Sequence, residues 1–267
     1  MEAKETIFDA ATALGVVGEG VFVGTIVEDF WVQAGPNGGY LAAMALRGAS
    51  AMVDVRERAA RSLHARFLAA PKAGAFELRA EVVRVGRSMT TVGVRMLQDG
   101  RDFLHASACF SGGFSSIAFQ DCAMPEALPL EASHSVPKRI PLNHRYDLLR
   151  AIGGDEREDE RARSGGWIRC AEPRPIDVLA LAALWDAWPP AVFARAFDER
   201  FRGAVPTVEV SVYFRRRVPL PTTQAGDYVL LCVESTMANE GIVEESGEIW
   251  SRDGLLLAQS RQLALLM

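Results

Sequence analysis

Hydrophobic and polar positions along the chain change period several times, and the same order of changes occurs twice. Between 21 and 32 lies a strand-like run rich in β-branched and aromatic residues. It stops at Gly35-Pro36-Asn37-Gly38-Gly39, a cluster that breaks regular structure. From 40 to 53, Leu41, Met44, Ala45 and Ala49 recur at helical spacing. Four runs then read as strands: 62–69, 76–85, 90–97 and 102–111. Turn residues separate them at Pro71/Gly74, Gly86-Arg87-Ser88 and Gln98-Asp99-Gly100.

The second half repeats this order. A short strand at 166–171 meets the breaker Pro173-Arg174-Pro175, and an apolar helix at 177–188 is stopped by Pro189-Pro190. Strands follow at 207–216, 227–235, 242–251 and 255–265, and Asp253-Gly254 stands where Asp99-Gly100 stood. Between the halves, 115–165 is rich in Pro, Ser and charge and includes the run 155–161, which reads as a solvated connector. The expected division is therefore 1–114, a linker 115–165, and 166–267. One helix followed by four antiparallel strands buries itself best inside its own sheet. The expected fold class is α+β, a double hotdog, with two repeats each wrapping an antiparallel sheet around a central helix.

Composition narrows the class. Of 267 residues 49% are hydrophobic and 24% charged, the balance of an ordinary globule. A net charge of −5 argues against a nucleic-acid partner, which calls for a basic surface. Cys109, Cys122, Cys170 and Cys232 form no CxxC pair, so no metal site is expected, and scattered thiols suit a reducing, cytoplasmic compartment. The first residues include Glu2, Lys4, Glu5 and Asp9 and do not read as a signal peptide. No run approaches the roughly 20 apolar residues of a membrane span.

Several motifs resemble those of one family. Gly35-Pro36-Asn37-Gly38-Gly39-Tyr40 before a helix, Ser62-Leu63-His64-Ala65-Arg66-Phe67-Leu68 before a Pro, and Val83-Arg84-Val85-Gly86-Arg87-Ser88 resemble hotdog thioesterases. Val233-Glu234-Ser235-Thr236 and the segment from Asp253-Gly254 to Arg261-Gln262 resemble the thioesterase II family of acyl-CoA thioesterases. The resemblance implies an acyl-CoA substrate, no cofactor, and a water held and activated by an Asp, a Ser/Thr and a Gln. Carried over residue by residue, these fall on Glu209 (a longer acid in place of the Asp), Thr236 and Gln262. The matching first-half positions, Ser62, Ser88 and Phe110, lack acid and amide, which implies one working site per chain. A homodimer or higher homo-oligomer is expected, since the outer edges of the fused sheet stay free.

The residues carry a chemistry of their own. Strand alternation puts Thr207, Glu209, Ser211 and Tyr213 on one face of their strand. A carboxylate can take the proton of an oriented water, and hydroxyl and amide groups can hold that water. The amides of Gly38, Gly39 and Tyr40 at a helix N-terminus are candidate oxyanion donors, with Asn37 as the cap. Arg215-Arg216-Arg217 could meet CoA phosphates, or simply end a solvated strand. No GxSxG elbow occurs, and no His lies between 35 and 51 to serve a hotdog hydratase. The rival reading is a non-catalytic acyl- or CoA-binding module.

Overall fold

The computed structural model describes residues 5–33, 35–153, 160–195 and 203–267. Residues 155–159 of the charge run lie outside them. The first half comprises α1 (Ile7–Ala11), β1 (Gly15–Gly18), β2 (Val21–Ile26), the two-residue strands β3 (Trp31–Val32) and β4 (Gly35–Pro36), α2 (Gly38–Ala51), β5 (Ala59–Phe67), β6 (Gly74–Val85), β7 (Thr90–Gln98) and β8 (Arg101–Ser111). The second comprises β9 (His134–Ser135), β10 (Tyr146–Ile152), β11 (Ala162–Cys170), α3 (Val178–Leu184), β12 (Thr207–Phe214), β13 (Val229–Ser235), β14 (Ala238–Asn239), β15 (Ile242–Trp250) and β16 (Leu256–Leu265).

One antiparallel sheet runs β1-β2-β6-β7-β8-β5-β12-β16-β15-β13-β11-β10-β9. The repeats join where β5 pairs with β12, from Glu209 opposite Arg66 to Tyr213 opposite Ser62. The architecture is a double hotdog, with each repeat's part of the sheet wrapped around one helix. Residues 39–46 of α2 and 180–184 of α3 are buried without interruption, because each helix has sheet or helix on all sides. The helices also pack on each other. A Cβ at Gly39 would stand 2.3 Å from the Ala183 carbonyl oxygen, so the closeness of the pair depends on that glycine.

Three expectations need correction. The run 21–32 is not one strand: after Ile26 the chain makes a 3-10 turn, Glu28–Phe30. That turn buries the Phe30 ring against Tyr40, centroids 4.6 Å apart. The second helix stops at Leu184, and i to i−3 bonds, Asp186 N to Ala183 O and Ala187 N to Leu184 O, tighten the next turn of the chain. The connector 115–165 holds strand β10, which pairs with β11 and buries Tyr146 and Leu148.

The two helices run antiparallel, and an ion cluster ties the N-terminal end of α3 to the start of the chain. Arg174 is 4% exposed and meets Asp9 at 3.0 Å and Asp177, the α3 cap, at 2.9 Å. Its guanidinium also lies over the Phe8 ring. Arg47, about two turns along α2 from Gly39, reaches Asp9 at 3.6 Å and feels the charge of Asp177.

Candidate active site

Glu209, Thr236 and Gln262 do not converge. Strand β12 turns Val210, Val212 and Phe214 into the core and Glu209 and Tyr213 outward. Glu209 therefore pairs with Arg66 at 3.1 Å across the seam, the two side chains 47% and 66% exposed. Thr236 sits on an exposed turn, where its amide and hydroxyl both donate to Glu244. Only Gln262 points inward, 6% exposed. The Gly38–Tyr40 amides are already engaged: Gly39 N donates to Asp186 Oδ2 at 3.1 Å and Tyr40 N to Asn37 Oδ1 at 3.0 Å. Arg215, Arg216 and Arg217 tie down neighbouring segments, donating to Gln259, to Gln120 and to the carbonyls of Arg56, Glu57 and Gly112.

A different set gathers around Gln262. Thr207 Oγ1 donates to Gln262 Oε1 at 2.8 Å, and Gln262 Nε2 donates to Glu245 Oε1 at 2.7 Å. Thr207 reaches the inner face because the β12–β16 register shifts between Thr207 and Glu209. A bulge reverses the alternation that would otherwise keep both residues outside. Glu245 stands directly opposite Gln262 on β15, 7% exposed, and its second oxygen accepts from the Ala191 amide.

Asp186, in the turn past α3, lies near enough for its charge to act on Glu245. Asn37 Nδ2 donates to Asp186 Oδ2 and to the Asp186 backbone oxygen, both at 2.7 Å, and the Gly39 amide adds a third bond. The breaker before α2 thus caps its own helix and grips an acid from the other repeat. Burial pushes the Asp186 carboxyl up to about 7, opposed by the Gly39 and Gly38 amides and the Asn37 side chain, which favour the charged form. Burial likewise pushes Glu245 up to about 7, against the Ala191 amide and Gln262, and the charge of Asp186 adds to the rise. As a residue Asp186 is half-buried, whereas Glu245 is buried. Two acids poised near neutrality suit proton transfer. Among the described residues no group of three or more His, Cys, Asp and Glu is placed to hold a metal ion.

The profile of the acyl-CoA thioesterase C-terminal domain matches residues 124–266, and that of the N-terminal domain matches residues 27–111. The chain belongs to the acyl-CoA thioesterase family. Its membership makes it a thioester hydrolase by family. Among solved structures, a conserved protein of unknown function with a hot dog fold from Alicyclobacillus acidocaldarius is 30% identical, with 98% of each chain covered and a TM-score of 0.88. The acyl-CoA thioesterase II TesB2 from Mycobacterium marinum is 23% identical, over 97% of this chain and 98% of that one, and shares the fold at a TM-score of 0.79. No curated protein matches the sequence. For this thioesterase the C-terminal profile begins ahead of β10, consistent with that strand's place in the second repeat's part of the sheet.

Proposed function

We propose that the protein hydrolyses acyl-CoA thioesters with an activated water, and that Asp186 is the general base. The observation that carries this reading is the Asp186 carboxyl itself, clasped by Asn37 and the Gly39 amide and raised to about 7. Ionised Asp186 takes a proton from water as its oxygen attacks the thioester carbonyl. The C–S bond breaks, the acid is released, and the proton passes to the departing CoA sulfur. Gln262 and Thr207 hold the water on the strand side, which lowers the entropic cost of attack.

The test is free-thiol release from acyl-CoAs of graded chain length. Asp186→Asn should lower kcat by about 10²–10⁴ with the fold intact. An Asn variant as fast as the parent overturns the assignment. Release of no thiol by the parent would favour a binding module instead.

Two further parts of the reading concern context. Free Cys109, Cys122, Cys170 and Cys232 suit a reducing cytoplasm, and no helix among the described residues is long and apolar enough to cross a membrane. Strand β1 leaves an outer edge with Val16 and Val17 exposed, which suits pairing with a second copy. Light scattering should give a mass of at least twice 29.1 kDa; a monomer at micromolar concentration refutes the pairing.

A further inference from the structure

We propose that Glu245 is a positioning residue of this site, holding the Gln262 side-chain amide in one of its two orientations. The inference rests on the hydrolytic reading above. A carboxamide fits its space equally well after a half-turn, which exchanges oxygen and nitrogen. The Thr207 hydroxyl does not choose between the two, because it can donate or accept. An ionised carboxylate only accepts, so Glu245 draws Nε2 to itself at 2.7 Å and leaves Oε1 for Thr207 at 2.8 Å. The Ala191 amide holds the other carboxylate oxygen, so Glu245 cannot swing away. Among the described residues Gln262 Nε2 has one more hydrogen without a protein partner, the donor the fixed amide can offer to water.

A packing role alone does not account for this acid. Val243, Gly247 and Ile249 share its inward face, and burying a carboxylate there costs more than burying an apolar side chain. No Lys or Arg forms an ion pair with Glu245 among the described residues. The charged groups bearing on it are Asp186, from the turn after α3, and Glu244, from its own strand, and both oppose its ionisation. Below neutrality Glu245 gains a proton and becomes a donor as well, and its hold on the amide orientation lapses. Sealed at 7% exposure, it acts through Gln262 rather than on substrate.

Glu245→Gln is the deciding variant. Its Oε1 can keep the Ala191 bond, but its Nε2 then faces Gln262 Nε2, and the Gln262 amide must reverse. We expect kcat to fall on the order of 10- to 100-fold with KM within about twofold, an unchanged circular dichroism spectrum, and a pH profile that loses one of two ionisations near 7. Glu245→Asp keeps the charge but is too short to span both partners, and should lose less; it decides the question if the Gln variant does not fold. Parental kcat and pH profile in a folded variant, with Asp186→Asn inactive, overturn the role of Glu245 alone. Full activity in Asp186→Asn overturns the underlying mechanism instead.

Discussion

Glu209 and Gln262 lie on paired strands within one residue of facing each other, yet one side chain is in water and the other in the core. Exposed ion pairs such as Glu209–Arg66 contribute about 0–1 kcal/mol. Glu209→Gln should therefore leave kcat within about twofold of the parent and shift stability by no more than that amount. Asp186 sets the opposite expectation. Since its ionised form is the base, kcat/KM should rise with pH near 7, and Asp186→Asn should remove one of the two ionisations that shape the rise. Stability should run the other way. A carboxyl raised from 3.8 to about 7 stays protonated in the folded chain where the unfolded chain has lost the proton. Stability from this group is full below the unfolded value and is lost as pH rises toward 7. Denaturant midpoints across that window, parent against Asp186→Asn, measure it. The sequence pointed to Gln262 and to the polar cluster before α2. It hid Thr207, because a bulge is invisible to alternation, and it hid Asp186 inside a run that otherwise reads as apolar helix. A lone acid between Trp185 and Trp188 was the available signal.

At the scale of elements, strands bounded by Asp-Gly turns were legible because the turn chemistry fixes them. Asp99 and Gly100 both take positive φ, as a tight hairpin requires. Element ends set by tertiary contacts were not, as Phe30 turning inward and α3 stopping short both show. The α2–α3 contact is the element-scale test. Gly39→Ala brings a methyl against the Ala183 carbonyl and should cost about 1–3 kcal/mol through forced separation of the helices, read as a lower Tm. Asn37→Ala removes a helix cap worth about 1 kcal/mol and also two of the bonds that hold Asp186, so it should lower kcat as well as Tm. A variant that loses stability without losing rate would separate the cap from the site.

Across the whole molecule the repeated order of elements was legible because both halves obey the same packing rule, a helix covered by its own sheet. Which acid each helix end would meet was not, since it depends on how the two helices pack. The antiparallel helix pair has two poles. At one, the start of α2 faces Asp186 and, farther back, Glu245, acids with no cation bound to them among the described residues. At the other, the start of α3 has its acids matched: Arg174 and Arg47 hold Asp177 and Asp9, and though burial opposes it, Thr6 and Arg174 keep Asp9 below its ordinary value. Duplicated from one plan, the two ends have become a ballasted keel and a responsive prow. Raising pH from about 6 to about 8 charges only the prow. Once corrected for intrinsic rates, amide hydrogen exchange should quicken around 37–41 and 185–191 over that interval and stay unchanged around 6–12 and 174–180. Equal quickening at both ends would mean that the ion cluster does not insulate its pole.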